Sequence, residues 1–211
     1  MPVFNASSKP PDWCELRRVE WIALRKGSPV DLAIGAPCDR LLVTSGQVLV
    51  RTDRGAQTLV QGQFIDLDPA ETSEARLIPV IADSEILNFS GNWGSELGGC
   101  GIFSVVTDPD RVDVGDPVGY PKDTGFDCHY HDCDEYWIIL EGRGAAVIED
   151  MHFPVGPGDC VAIGRGFHHD FPQVSEPIRA AYFETTLEGL KRPGHLWAHT
   201  DGPASPDPGR R

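Results

Sequence analysis

The sequence predicts an all-β protein, and three observations carry that prediction. Short apolar runs, among them Leu41-Leu42-Val43, Ile86-Leu87 and Tyr136-Trp137-Ile138-Ile139-Leu140, recur between turn-forming residues. Glycine and proline, 23 and 18 in 211 residues, punctuate the chain as turns between short strands do. The third observation is a pair of histidines at strand period, His129 and His131, followed by Glu135 and an apolar run that ends near Gly142. Side chains alternate along a strand, so the two imidazoles share one face while Tyr130 and Cys128 share the other. A turn from Asp132 to Asp134 starts the return strand at Glu135 and aims its carboxylate at the imidazoles. Two nitrogens and one oxygen converging on a point form a metal-ligand set.

A second segment follows the same logic. Pro157-Gly158-Asp159 reads as a tight turn and Cys160 to Ile163 as a strand, before Gly164-Arg165-Gly166 and Phe167-His168-His169. Together the two segments resemble the paired motifs of the cupin family. His129, His131, Glu135 and Gly142 match the first motif (H-x-H, a glutamate, a glycine) without a gap. Gly158, Gly166 and His169 match the second, with Gly164 where the family has proline and Gln173 where it has asparagine. The first motif's leading glycine falls on Asp123, with Gly125 nearby. These departures touch turn residues and no ligand. The resemblance implies that His129, His131, Glu135 and His169 hold a metal ion inside a double-stranded β-helix, the jelly-roll cupin barrel. Neighbouring strand residues face opposite ways, so His168 belongs on the rim or the outer face. Cys128 and Cys133 bracket the first motif, but no second cysteine pair at finger spacing accompanies them, and Cys128 has the wrong parity for a zinc site.

Taken in order, the elements begin with a loose N-terminal arm over Met1 to Pro11 and candidate strands at Val19 to Ile22 and Pro29 to Ile34. From Arg40 to Leu67 the pattern of strand, glycine, strand, turn and strand parallels that from Ile138 to Ile163. Leu42 to Gly46 answers to Ile138 to Gly142, and Gly62-Gln63 to Gly158-Asp159. The expected organisation is therefore two tandem barrels. Residues 1–100 form a degenerate copy without histidine, residues 101–200 the metal-binding copy, and residues 201–211 a disordered tail. Ala70 to Arg76 is a helical turn or loop, Leu77 to Ile81 and Ile86 to Phe89 are strands, and the glycine-rich stretch from Ser90 to Gly101 is a linker. No lysine and no helix follow Gly98-Gly99-Cys100-Gly101, so it is not a phosphate loop. The second barrel starts at Ile102 and closes with a strand from Ile178 to Phe183; a short helix spans Thr185 to Lys191. The apolar, histidine-bearing segment from Pro193 to His199 lies over the barrel mouth, packs on a partner subunit or is a disordered tail.

Composition limits the function. Hydrophobic residues make up 40% of the chain, enough for a packed core, and the formal net charge is −14. A field of that sign, with a pI near 4.7, argues against nucleic acid and anionic membrane as partners. Polar residues and proline at the start leave no apolar core for a signal peptide, and no run reaches membrane-spanning length. Six unpatterned cysteines read as reduced thiols, giving a cytoplasmic protein. The expected partners are a small-molecule substrate and a second copy in a homodimer. One divalent transition metal is expected, iron or manganese in preference to zinc or nickel. Strand parity turns Trp137, Phe167 and Phe171 inward as an aromatic substrate pocket. The catalytic base is open, with Glu149, Glu184 and Lys122 as candidates by location. Three functions fit the resemblance: a sugar-type isomerase or epimerase, a dioxygenase, and a non-enzymatic binding or sensing module.

Overall fold

The computed structural model describes residues 2–112 and 114–211, and the chain divides into two compact units. One is Glu15–Trp93; the other joins Met1–Cys14 to Gly94–Arg211. After β1 (Val3–Phe4), the Glu15–Trp93 unit contains β2 (Leu16–Leu24), β3 (Val30–Ala33), β4 (Cys38–Ser45), β5 (Gln47–Thr52), β6 (Gly55–Val60), β7 (Phe64–Leu67), β8 (Glu74–Pro79) and β9 (Ser84–Gly91). They form two antiparallel sheets, ordered β2-β9-β4-β7 and β3-β8-β5-β6. Eight strands dealt between two sheets in this order make a jelly roll. Alternation decides which residues face inward: in β8, Ala75 and Leu77 are buried while Glu74 and Arg76 are exposed. The inward residues of both sheets, including Leu41, Val43, Val48, Val50, Leu77 and Ile86, share one apolar core.

The second unit contains β10 (Leu97–Val105), β11 (Glu135–Ile148), β12 (Met151–Val155), β13 (Cys160–Ile163) and β14 (His169–Thr186). Its strands run β1-β13-β11-β14-β10, with β12 also on β11. Two long strands give this sheet the curvature of a barrel. Residues 135–138 of β11 pair with β13, whereas residues 144–148 pair with β12. Along its other edge β11 follows β14, through register shifts between Ile139 and Gly144. Gly142 sits at the bend with φ +83°, and a Cβ there would collide with the Pro177 carbonyl. Such bulges let one strand turn a corner and serve both walls. Trp137, Ile139, Ile148, Val161, Phe171 and Ala180 fill the interior. The glycines paired by the sequence comparison also match in conformation. Gly46 and Gly142 have φ +81° and +83°, Gly62 and Gly158 +84° and +91°, and the two pairs are separated by the same interval.

Several local expectations differ from the structure. Val3 and Phe4 are not a loose arm: they pair with Val161 and Cys160, giving the β13 edge a partner and burying Phe4. The glycine stretch crosses from one unit to the other, but less of it is connection than expected: Ser90 and Gly91 end β9, residues 92–96 connect, and β10 starts at Leu97 and not at Ile102. Its glycines are needed because Tyr182 and Glu184 of β14 fill the space above them; a Cβ on Gly101 would come within 2.9 Å of the Tyr182 ring. Residues 185–191 form no helix, because β14 runs on to Thr186 and the Glu188 amide bonds the Asp132 carbonyl. The tail after Asp201 is ordered through charge, not apolar burial. Pro208–Arg210 forms a 3-10 turn, and Arg210 reaches Asp134 and Glu188 at 2.8 Å each. No helix among the described residues is long and apolar enough to cross a membrane.

Candidate metal centre

Each of the four expected ligands is carried to one point by a different constraint. His129 lies opposite His169, the first residue of β14, in an antiparallel bridge whose amides exchange hydrogen bonds with the partner carbonyls at 2.9 and 3.2 Å. His131 follows on the same face, and Glu135 opens β11 beside Ile163 and Glu184. All four are buried, and their ligand atoms lie within 4.8 Å of one another. His129 Nε2 stands 3.1 Å from His131 Nε2 and 3.0 Å from His169 Nε2. A Glu135 oxygen, Oε2, lies 3.3 Å from His131 Nε2 and 3.0 Å from His169 Nε2.

The outer partners fix what those atoms can do. Nδ1 of His129, His131 and His169 lies 2.9 Å from the carbonyls of Asp127, Gly194 and Phe167 respectively. A carbonyl only accepts, so each Nδ1 carries the proton and each Nε2 turns a lone pair inward. Lone pairs facing one another at 3.0 Å repel, and Glu135 Oε2 is buried without a donor. This donor set, three imidazole nitrogens and a carboxylate oxygen, fits a divalent transition ion. Burial and the four side chains' own charges set the direction of each shift. Burial pushes the Glu135 carboxyl up, but His131 and His169 outweigh it and hold it well below the usual range. Burial lowers His131, yet Glu135 outweighs it and the net shift is upward. Burial and the neighbouring His169 bring His129 down to about 3.

The segment from Arg192 to Asp201 lies over this centre as a strap. Arg192 grips Asp132 with two nitrogens, at 2.9 and 3.0 Å. Gly194 supplies the carbonyl that orients His131, and the His195 ring stacks on His129 at 3.6 Å with 4° between the planes. Asp127 accepts from Trp197 Nε1 and lies 2.9 Å from His195 Nδ1. Asp116 accepts from the amides of Ala198 and His199 as α1 (Ala198–Asp201) begins. Of the three sequence alternatives for residues 193–199, the structure shows the one over the mouth. His168 turns away from the centre to Asp116, 3.0 Å from its Nε2.

Beside the centre is a cavity of about 320 Å³, lined by Gly98, Gly99, Phe103, Phe126, Glu135, Trp137, Tyr182, Glu184, Gly194 and His195. Of the three aromatic residues expected there, only Trp137 lines it. Phe171 packs behind Trp137, ring centroids 5.6 Å apart, and Phe167 lies in the apolar core. Parity put both on the inner face, but the inner face of a barrel is mostly packing and only its mouth is cavity. The pocket aromatics that sequence reasoning missed are Phe103, Phe126 and Tyr182. Phe126 meets Trp137 edge-on at 5.3 Å, and Phe103 lies 5.7 Å from Trp137. Tyr182 stands two residues before Glu184, a strand-period signal that needed the β11–β14 register to interpret. Among the candidate bases, Glu184 is in the cavity wall. Burial, then the Glu135 charge, pushes its carboxyl up. Glu149 instead accepts from the His168 amide, and Lys122 is buried against Asp170 at 3.0 Å.

Residues 118–183, which include all four expected ligands, match the family model described as Cupin domain. The chain is 50% identical over its whole length to the uncharacterized protein y4oW of Sinorhizobium fredii, of which it covers 96%. A conserved protein of unknown function from Pseudomonas aeruginosa shares 13% identity at a TM-score of 0.59, the alignment covering 89% of this chain and 98% of that one. A mutant of oxalate decarboxylase OxdC from Bacillus subtilis shares 10% at 0.58, over 90% and 78%. Residues 118–183 are thus a domain of the cupin family, and the chain shares its fold with these solved structures.

Proposed function

We propose that this chain is a metal-dependent enzyme acting on a small oxygenated molecule, through a mononuclear centre of His129, His131, Glu135 and His169 that takes iron or manganese. One observation carries the reading: three buried Nε2 lone pairs and an undonated carboxylate oxygen face a single point. When bound, the ion would supply a Lewis acid to a substrate oxygen. The protein's own side chains would do the rest. Phe103, Phe126 and Trp137 keep water from one wall of the cavity, and the His195 strap covers the metal side. Glu184 stands in the wall as the group to hold or move a substrate proton at its carboxylate. The likeness to oxalate decarboxylase is one of fold and lends no substrate.

Two chemistries, dioxygenase and sugar-type isomerase or epimerase, share this apparatus. Purified protein loaded with Fe(II) or Mn(II) and screened against small diols, hydroxy-carbonyls and keto acids separates them. Oxygen uptake with Fe(II) identifies the dioxygenase; solvent deuterium entering product without oxygen identifies the isomerase. Tight ligand retention with neither signal would replace the enzyme by a binding or sensing module. We read the Glu15–Trp93 unit as a degenerate cupin half, on its jelly-roll order and shared glycine conformations. There Asp39, paired with Ser90 as Glu135 is with Glu184, accepts from the Ser90 hydroxyl at 2.6 Å. A homodimer and a cytoplasmic location complete the proposal, to be checked by light scattering and by fractionation.

A further inference from the structure

The walls of the metal-side cavity differ sharply in charge and shape from what a small anionic substrate needs. Four aromatic side chains, Phe103, Phe126, Trp137 and Tyr182, supply most of the bulk. The ionisable groups in the wall are Glu135, Glu184, Tyr182 and His195, and no lysine or arginine is among the lining residues. Gly98 and Gly99 keep the space in front of Glu184 open, since a Cβ on Gly98 would overlap that carboxylate. The Glu184 carboxyl makes no hydrogen bond to a described residue, so its acceptor capacity is free for a ligand. Trp137 offers the complementary group: its indole N–H is buried and has no hydrogen-bond partner among the described residues. A buried donor left unpaired is unfavourable, so a ligand acceptor that meets it gains affinity.

Charge decides the class. A divalent ion held by Glu135 leaves one net positive charge, and Glu184 faces the same cavity. A dianion entering there would be desolvated against carboxylates with no guanidinium or ammonium to meet it. A flat neutral molecule meets no such penalty and gains from aromatic faces 5–6 Å from one another. The volume, about 320 Å³, lies at the small end for ligand pockets and suits one ring with its substituents.

We propose that this cavity takes an uncharged, single-ring substrate that presents a hydroxyl or amine donor to Glu184 and an acceptor to Trp137, and that it rejects small dianions. This rests on the reading of the adjacent centre as the metal site, and the experiment separates the two. Zinc-loaded protein, which holds the site without redox turnover, is titrated calorimetrically with benzamide, a neutral ring that carries an N–H donor and a carbonyl acceptor and keeps its protons beside zinc, and with oxalate, referenced to its affinity for free zinc. Zinc content is measured on the same samples. Benzamide is expected to bind, and oxalate to bind at least tenfold more weakly than it binds the free ion. Glu184→Gln is expected to restore oxalate at least tenfold, and Phe126→Ala to weaken benzamide while leaving oxalate unchanged. Oxalate bound as tightly as by free zinc, with no response to Glu184→Gln, would overturn the substrate class while leaving the metal site standing. Protein that retains no zinc yet still binds benzamide through Glu184 and Phe126 would overturn the metal reading and keep this one. Absence of benzamide binding in every form would overturn this one.

Discussion

At the scale of single residues, the centre depends on atoms held in place by groups that never touch a ligand. Backbone carbonyls of Asp127, Gly194 and Phe167 set the imidazole tautomers, and Gly98 makes room for Glu184. Gly98→Ala should therefore cost about 1–3 kcal/mol, as overpacking does, because Glu184 and Cys133 both crowd the new methyl group. Urea unfolding measures this; a variant as stable as the parent would mean that β10 yields easily. The convergence of His129, His131, Glu135 and His169 was legible in the sequence because strand parity and motif spacing fix their positions locally. Phe126 and His195 were not, because each reaches the cavity from a segment whose path depends on tertiary contacts. Phe167 and Phe171 show the limit of parity, which tells inward from outward but not cavity from core.

At the scale of elements, the strap of residues 192–201 is the piece that joins C-terminal sequence to site geometry. It is fastened at Asp132 by Arg192, at Asp127 by Trp197 and at Asp116 by the start of α1. Arg192→Ala should loosen Gly194 from His131 and weaken metal binding about 10- to 100-fold, the usual effect of losing an outer hydrogen bond to a ligand. A chelator competition titration reads this directly, and unchanged affinity would show that the strap only covers the mouth. The fastening at Asp116 also predicts a pH response. Burial raises its carboxyl, but bonds from the Ala198 amide, His199 and His168 outweigh it and hold it below the ordinary value. A depressed carboxylate stabilises above its unfolded pKa, near 4, and loses that contribution as pH falls through the folded value. The strap should thus stay docked at pH 5 and release below about pH 4, followed by Trp197 fluorescence. Release between pH 7 and 5 would point to the histidines instead. The sequence marked this segment as histidine-bearing and apolar, yet charge pairs across 60 or more residues decided its course, and no local pattern carries those.

At the scale of the whole molecule, the chain divides into two β units, and the groups able to hold a metal among the described residues lie in one of them. The parallel from Leu42 to Gly62 and from Ile138 to Gly158 was visible in the sequence because each turn glycine needs a positive φ. The exchange of the N-terminal arm into the second unit was not visible, because pairing of Val3 with Val161 is set by a free strand edge and not by anything in Met1 to Pro11. The three groups able to hold a metal among the described residues all lie in the Gly94–Arg211 part, and the two smaller ones share His129 or His131 with the four-residue centre, so the molecule should bind one ion per chain, not two. Elemental analysis of protein incubated with Fe(II) or Mn(II) and desalted, wild type beside His131→Ala, tests this most directly. The account predicts one transition ion per wild-type chain and none in the variant, with an unchanged β-rich circular dichroism spectrum. Metal retained at full stoichiometry after loss of His131, or none bound by the wild type, would contradict it.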